Sequence, residues 1–476
     1  MGLGKKLKGI VTKILSRDEI AKKFNTEVVT STDMYDAIKD WDNLYRNSIS
    51  NLASVISSEA ARLATIEMDI TFTGGVRAKR LQEIIDQNKG NLRRKLELGI
   101  AYGGMVLKPD GIGGIDFIPP TRYFPVEYDT SGNITAMIFI DVYQKGSSTY
   151  NRLEYHHFED SEDGERLYII ENLFYKSQNV YTLGSPVSKN SLDMWKNLED
   201  ETVLVGIEKP LWGYFKMPNS NTVDIDSPLG TSIYSKATDS IEDFDVLYSK
   251  WRREIELSDK ILFVNNDAMM RKTPNGGRAE IFNPFPKLIK GLQFGMSANR
   301  CIDEYNPSIR VSEFKESIQI MLNLISIQCG FSSGFLTFDS KRGVVTATQI
   351  ESEDQRTVSL CTDIQEQYKV ALEGLVYALN VFEDLNDEFS DKFEVNYYLK
   401  DLFVNTSEDR KRSYELAQNG YIPKWKYLEE FEGYTEEEAK SMVQQAEQNG
   451  GTKSVITDKN GNPIQSTNFA SMRKMN

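Results

Sequence analysis

Apolar positions change their period several times along the chain, and each change predicts a different kind of element. Between residues 32 and 67 apolar side chains recur every three or four positions, which predicts a single helix. A strand over 70–73 and a helix over 77–101 follow. The second helix is expected to stop at Gly103, because glycine is common just past a helix end.

From Met105 onward the pattern consists of short strand-forming runs separated by glycine, proline and Asp-Thr-Ser-Gly turns. The predicted strands cover 105–108, 115–118, 123–128, 134–140, 150–157, 167–174 and 211–215. Because helices come first and consecutive short strands come after them, this half is predicted to be α+β with an antiparallel sheet.

The helical period returns in the second half of the chain. Helices are predicted over 231–259 and 309–328, and at 1.5 Å per residue the first would be roughly 43 Å long. They enclose residues 261–307, which contain strand-like runs and an Asn-Gly-Gly turn. Two helices around a small insert predict an outward-and-back stalk with a cap.

A glycine-rich loop follows this stalk and carries one basic pair, Lys341 and Arg342. A much longer helix is predicted from 346 to about 382. Glycines allow such a loop to move while long helices hold its ends. A small positive loop in this setting suits repeated contact with a polyanion, although a solvated loop tip is the simpler interpretation of the local sequence.

The last part of the chain is predicted to contain a strand over 393–399 and helices over 407–419 and 435–447. Residues 451–476 are polar and rich in glycine, asparagine, serine and threonine, so we expect a disordered tail.

Net charge changes the picture in two ways. The 476-residue chain carries −14, which argues against a general nucleic-acid coat because phosphate binding favours a basic surface. Residues 1–23 run against this trend, with seven Lys/Arg and two acids. This arm is expected to be flexible or packed on the surface, and the alternative is a basic amphipathic helix that docks a scaffold on a membrane. No apolar run approaches the roughly 18 residues that span a bilayer.

Cysteine and histidine usage limits the chemistry that the chain is expected to perform. Cys301, Cys329 and Cys361 are far apart, which predicts reduced thiols in a cytoplasmic setting. The two histidines, His156 and His157, are adjacent in a strand-like run. Neighbours on a strand point to opposite faces, so no metal site and no cofactor are expected.

One motif suggests an enzyme. Gly-Phe-Ser332-Ser-Gly matches the G-x-S-x-G nucleophile elbow, but that elbow needs a preceding strand and a histidine later in the chain. A predicted helix precedes Ser332 and both histidines lie upstream. The sequence also lacks the P-loop motif of nucleotide hydrolases. We therefore expect a protein without catalytic residues, and a serine hydrolase using Ser332 is the alternative.

Four segments in order carry a resemblance to a known family. They are GIAYGGMVLKPDGIGGIDFIPPTRYFPVEYDTSGNITAMIFID, SPLGTSIYSKATDSIEDFDVLYSKWRREIELSDKILFV, GVVTATQIESEDQRTV and VNTSEDRKRSYELAQNGYIPKWKYLEEFEGYTEEEAKSMV, and together they span most of residues 90–445. The order and spacing resemble the portal proteins of tailed bacteriophages, most closely those of siphophages of Gram-positive hosts.

The resemblance implies a portal fold, with a wing of helices plus antiparallel sheet, a helical stem, a small α/β clip, a tunnel loop with a long helix, and a helical crown. The implied boundaries are 1–26 for the basic arm, 27–228 for the wing, 229–260 and 308–329 for the stem helices, 261–307 for the clip, 330–345 for the tunnel loop, 346–392 for the long helix, 393–450 for the crown and 451–476 for the tail.

The resemblance also implies a role. Portal proteins form homo-oligomeric, about dodecameric rings at one vertex of the virion capsid and are assembled in the host cytoplasm. The ring conducts double-stranded DNA during packaging and ejection. It docks the terminase large subunit, which hydrolyses ATP, and later a head-completion adaptor, and it contacts major capsid and scaffolding proteins.

Two sets of side chains acquire expected roles from the resemblance. Lys341 and Arg342 would touch DNA phosphates in the channel without reading sequence. The clip would present basic side chains to its partners, namely Arg271, Lys272, Arg278, Lys287 and Lys290.

Overall fold

A computed structural model describes residues 17–66, 68–111, 113–179, 182–265, 269–280, 289–292, 302–337, 347–386, 392–399, 406–432 and 435–448. The chain divides into two compact units, Met1–Leu402 and Phe403–Asn476. The α+β prediction is confirmed, because helices combine with largely antiparallel sheets.

The helices of the first unit are α1 (Arg17–Ala21), α2 (Thr32–Asn47), α3 (Leu52–Thr65), α4 (Val76–Tyr102), α5 (Thr238–Leu257), α6 (Val311–Gln328) and α7 (Ala347–Asn386). Short 3₁₀ turns lie at Lys22–Phe24, Lys189–Ser191 and Asp193–Trp195.

The strands of the first unit are β1 (Met68–Gly74), β2 (Gly104–Pro109), β3 (Ile115–Ile118), β4 (Tyr123–Tyr128), β5 (Ile134–Lys145), β6 (Ser148–Asp160), β7 (Arg166–Ser177), β8 (Ser185–Pro186), β9 (Glu201–Val205), β10 (Gly213–Lys216), β11 (Ile261–Asn265), β12 (Met270–Lys272), β13 (Arg278–Glu280), β14 (Ile289–Leu292), β15 (Ile302–Tyr305) and β16 (Phe393–Leu399).

Two antiparallel sheets form the centre of the first unit. The larger has six strands in the order β4-β5-β6-β7-β8, with β9 also paired to β7. The smaller has the order β10-β2-β3. Strands β2 to β7 and β10 follow the predicted runs, because alternating apolar side chains bury one face of each sheet. Strands β8 and β9 were not predicted from the sequence.

The predicted helix over 32–67 is wrong in one respect, because the chain turns between α2 and α3. Asn51 has a positive φ of 56°. The Asp245 carboxylate of α5 accepts hydrogen bonds from the backbone N–H groups of Ile49 and Ser50, both at 2.9 Å, and from the Ser48 hydroxyl at 3.1 Å. A side chain nearly 200 positions away along the chain therefore stabilises this turn.

The predicted helix over 231–259 begins later than expected, at Thr238. Residues before it make turns and pack into the core: the Ile233 N–H bonds the Ile100 carbonyl at 3.1 Å, and the buried Tyr234 hydroxyl bonds the Trp41 carbonyl at 3.0 Å. These tertiary bonds replace helical ones. The helix is therefore about 30 Å long rather than 43 Å.

The segment between α5 and α6 forms two small sheets in its described residues. One has the order β14-β11-β15, in which β11 is parallel to β14, and the other is the β12-β13 pair. Helices α5 and α6 pack against each other, as the stalk prediction requires.

Strand β16 pairs with the other end of the first unit. It lies antiparallel to β1 over its whole length, from Met68 opposite Leu399 to Gly74 opposite Phe393. The boundary between the compact units falls after Leu402, whereas residues 393–399 were predicted to belong with the residues that follow them, in a crown over 393–450. Long-range strand pairing decides this, and no local pattern encodes it.

The second unit contains three described helices, α8 (Thr406–Gln418), α9 (Lys424–Glu432) and α10 (Glu436–Gln448). Both α8 and α10 were predicted, and α9 was missed. Buried alanines at Ala417 and Ala439 and the edge-on ring pair of Tyr414 and Tyr427, 5.4 Å apart, hold them together.

Candidate functional site

The predicted basic loop lies between α6 and α7. Lys341 and Arg342 are outside the described residues, as are residues 1–16 of the basic arm and the tail over 451–476. The structure does describe both ends from which the loop is held.

The end of α6 is fixed by a Schellman turn. Gly330 adopts a φ of +86°, its N–H bonds the Ile327 carbonyl at 3.1 Å, and the Phe331 N–H bonds the Ser326 carbonyl at 2.9 Å. Phe331 is fully buried and stacks on Phe335, with ring centroids 4.4 Å apart. The chain therefore leaves α6 in one defined direction.

A second clamp joins the chain after α6 to α7. The Ser332 N–H donates to the Thr357 hydroxyl at 2.9 Å, and the Ser332 hydroxyl accepts from the Thr357 hydroxyl at 3.1 Å and the Thr357 N–H at 3.3 Å. Both residues are buried to about 99 %. The clamp closes the segment between positions 332 and 357, which contains Lys341 and Arg342.

Helix α7 is anchored over most of its length of about 60 Å. The buried Gln365 amide donates to the Ala64 carbonyl and the Tyr368 hydroxyl donates to the Leu92 carbonyl, both at 3.0 Å. Further along, Arg77 of α4 forms an ion pair with Asp384. The carboxyl-terminal half of α7 is thus a core element of the first unit.

Ser332 lacks the surroundings of a catalytic serine. Its side chain is buried, and its three hydrogen bonds join it to Thr357, which is not a base. The chain after Ser332 contains no histidine. His156 bonds Tyr168 and Glu154, and His157 bonds Glu159. The serine is therefore placed to hold the loop rather than to attack a substrate.

A buried cluster of charged side chains around Glu154 stabilises the fold. Its carboxylate lies 2.5 Å from the Lys108 ammonium and 2.7 Å from the Arg152 guanidinium. Burial alone would raise the pKa of Glu154, but Arg152 and Lys108 outweigh burial and hold this pKa well below its ordinary value. The Lys108–Glu154 pair joins strand β2 of the smaller sheet to β6 of the larger one, and Arg152 lies on β6 beside Glu154.

His156 occupies the centre of this cluster. The Leu211 N–H donates to the Tyr168 hydroxyl at 3.1 Å, so the Tyr168 proton points to His156 Nδ1 at 2.8 Å. The His156 Nε2–H then donates to Glu154 at 2.8 Å. Burial lowers the pKa of His156 despite the favourable Glu154 carboxylate. The imidazole is neutral and fully partnered, which leaves it no lone pair for a metal.

The five basic residues expected in the cap are divided between elements. Arg271 and Lys272 lie on β12, and Arg278 lies on β13 directly opposite Lys272. Lys290 is an exposed residue of β14, in the other small sheet, and Lys287 is outside the described residues. The structure thus brings three of the five onto one hairpin.

An ion pair that the sequence analysis missed closes the α5–α6 hairpin at the cap. The Arg310 guanidinium, just before α6, contacts the Glu254 carboxylate of α5 through two hydrogen bonds of 2.9 and 3.0 Å. The sequence contains one indication of this pair, since it places opposite charges near the facing ends of the two predicted helices. The pair sets the relative height of the two helices.

In the described part of the chain, no cluster of three or more histidine, cysteine, aspartate or glutamate side chains could hold a metal ion. None of its helices is both long and apolar enough to cross a bilayer. Cys329 and Cys361 are free thiols, as predicted, and Cys301 is outside the described residues.

Comparison with known proteins adds no family. The chain matches no protein-family model, and it matches no curated protein sequence.

Proposed function

We propose that this chain is the subunit of a tailed-bacteriophage portal. In this proposal, copies of the chain form an about dodecameric ring at one capsid vertex of the virion, after assembly in the host cytoplasm. The ring is the channel for packaging and ejection of double-stranded DNA. It docks the terminase large subunit and then a head-completion adaptor, and it sits among major capsid and scaffolding proteins.

One observation carries the proposal, namely the path of the chain from α5 to α7. A two-helix hairpin leads out to two small sheets and back, and the Ser332–Thr357 clamp then closes a segment that contains Lys341 and Arg342. Helix α7 returns from that segment into the α+β core. This order supports a stem, a clip and a tunnel loop attached to a wing.

The remaining parts fit the same division. The helices and sheets before α5 correspond to the proposed wing, with β16 and α7 added to it by strand pairing and packing. The three helices of the second unit correspond to the proposed crown. The chemistry of DNA movement is assigned to the terminase, because this sequence has no P-loop motif.

Charge supports a conducting role rather than a binding role. A net charge of −14 disfavours tight adhesion of DNA, whereas one basic pair per subunit supplies a few transient phosphate contacts. Such contacts carry no sequence information, as a channel for a whole genome requires.

The first test is electron microscopy of the purified chain in negative stain. The proposal predicts rings with a central hole, and about twelve lobes in the commonest class. A chain that stays monomeric at every concentration and salt level would contradict it. Portal rings can close with other subunit numbers, so the result that tests the proposal is whether rings form and not how many subunits they contain.

The second test addresses the loop. Deleting residues 338–344, or changing Lys341 and Arg342 together to glutamine, should leave rings intact and reduce the DNA packaged or retained in particles. The matched control is Arg93→Gln/Arg94→Gln, an adjacent exposed basic pair on α4. Normal genome content in particles built with the deletion would refute the channel role of the loop.

A further inference from the structure

The outer half of the α5–α6 hairpin is poorly covered within one copy of the chain. The only buried side chains of α5 are Ile241 and Phe244, and those of α6 are Leu322, Ile325 and Ser326. All five lie toward the end of the hairpin farthest from the small sheets. The apolar residues among them join one hydrophobic cluster, which defines the inner face of each helix.

Helix α5 carries a second, outward stripe. Val246, Lys250, Arg253 and Leu257 recur at helical spacing and are all exposed, with Val246 at 52 % and Leu257 at 60 %. At 100° per residue this stripe lies on the opposite side of α5 from Phe244. We call it the α5 stripe; it is apolar at both ends and basic in the middle.

Helix α6 carries a stripe of different composition. Glu313, Glu316, Ile320, Leu324 and Ile327 recur at the same spacing, and Ile320 is exposed at 70 %. By the same angular count this α6 stripe lies opposite the inner face of α6. It is acidic toward the small sheets and apolar toward the body.

The two stripes match in height along the hairpin. The Glu254–Arg310 bonds place those residues level with each other, and the helices run in opposite directions with equal rise. Counting back along α5 and forward along α6, Lys250 and Arg253 come level with the turn that holds Glu313 and Glu316. Val246 comes level with the turn before Ile320. Lys250 and Arg253 therefore lie at about the height of Glu313 and Glu316, and Val246 lies at about the height of Ile320. Leu257, Leu324 and Ile327 lie beyond the heights that the two stripes share.

We propose that the α5 stripe of one copy docks on the α6 stripe of a second copy of this chain. This inference rests on the proposed ring and specifies how it is joined. Each stripe lies on the side of its helix opposite that helix's buried residues, and both stripes are exposed within one chain. Since they are different surfaces, the contact is head to tail rather than two-fold, and repeating it builds the proposed ring when the rotation between neighbours closes.

These observations favour a second copy of the chain as the partner. The same chain carries both complementary stripes, and their charged residues lie at about the same height along the hairpin. In the described part of the chain, no hydrogen bond or ion pair links Lys250, Arg253 or Glu316 to another side chain. Docking would also bury exposed apolar side chains of both stripes, and clustered apolar side chains on a surface are typical of protein interaction sites.

The first experiment reverses charge on one stripe at a time. Lys250→Glu/Arg253→Glu, and separately Glu313→Lys/Glu316→Lys, should each weaken association by about tenfold per contact, because two surface ion pairs become repulsions. The fourfold variant restores attraction and should form rings again. Mixing the two double variants should also restore rings, with alternating subunits. Arg93→Glu/Arg94→Glu is the matched control and should assemble normally.

The second experiment reads the contact directly. Val246→Cys/Ile320→Cys, oxidised and run on a non-reducing gel, should give a ladder that continues beyond the dimer. Val246→Cys paired with a cysteine at the exposed Ile225 should give none, and the unsubstituted chain controls for its own cysteines. A ladder that stops at the dimer would overturn head-to-tail docking.

Failure of this inference can be told apart from failure of the portal proposal. If the unsubstituted chain forms rings and both charge variants form the same rings equally well, the stripes are not the contact, although the portal proposal stands. If the unsubstituted chain never forms rings, the portal proposal fails and this inference fails with it.

Discussion

Gly213 and Gly374 pack backbone against backbone, where β10 meets the middle of α7. A β-carbon built on Gly374 would lie 2.8 Å from the Gly213 Cα, and one built on Gly213 would lie 1.7 Å from the Ala371 carbonyl oxygen. The long helix that continues from the candidate loop is thus seated directly on the smaller sheet. Only residues without side chains permit this approach.

Replacing Gly213 with alanine should therefore destabilise the first unit by about 3 kcal/mol, because the obstructing atom belongs to the backbone and cannot swing away. Urea unfolding followed by circular dichroism would measure the change. Gly90→Ala is the control: Gly90 is exposed on α4 with open space around it, so alanine should stabilise by up to about 1 kcal/mol. Equal effects at both glycines would contradict the packing argument.

Loss of the Ser332 hydroxyl should cost about 1 to 2 kcal/mol of stability, because the buried Thr357 N–H and hydroxyl would lose their acceptor. Comparing unfolding midpoints of Ser332→Ala and the unsubstituted chain tests this. Ser312→Ala, at an exposed position, should change stability by no more than about 0.5 kcal/mol.

The same variant separates a clamp from a nucleophile. We expect Ser332→Ala to leave ring formation and DNA packaging intact. The hydrolase alternative would instead be supported if the unsubstituted chain cleaved activated esters and this variant did not.

Stability should fall as the pH drops from about 7.5 to 5.5, and His156 should be a cause. Its pKa is lowered by burial from the ordinary 6.5, so the unfolded chain binds a proton in this range before the folded chain does. Above that range His156 is neutral in both the folded and the unfolded chain, so it does not make the free energy of unfolding change with pH. The free energy of unfolding decreases as the pH falls through 6.5 towards the lower pKa of the folded state.

Thermal melts of His156→Gln at both pH values check this, since the variant should show a smaller drop than the unsubstituted chain. His157→Gln, which keeps His156, is the matched control variant. The Glu154 pKa is held below its ordinary 4.5, so its contribution is present above 4.5 and is lost only at lower pH. The two groups can therefore be measured separately.

Two of the three thiols should resist modification in the folded protein. Burial raises the pKa of Cys329 and raises that of Cys361 to about 12, so neither is a thiolate at neutral pH. A colorimetric disulfide reagent should react rapidly with at most one thiol before urea is added and with all three afterwards. Rapid reaction of two or more in the native protein would be inconsistent with this burial.

Local patterns predicted the elements whose signals are short in range. The period of apolar residues predicted α4 and its stop at Gly103, the strands of the central sheets except β8 and β9, and the two helices of the hairpin. The hairpin and the long helix were therefore predictable. The start of α5 was not, because tertiary bonds such as that from the Tyr234 hydroxyl to the Trp41 carbonyl replace helical ones there.

By itself the sequence determined the α+β class, the acidic charge, and the order of helices, insert and basic loop, because period and composition are properties of neighbouring residues. The tertiary structure decided that β16 pairs with β1, that Ser332 clamps Thr357, and that Gly213 admits α7. Each of these joins residues far apart along the chain, and such contacts depend on which surfaces meet after folding.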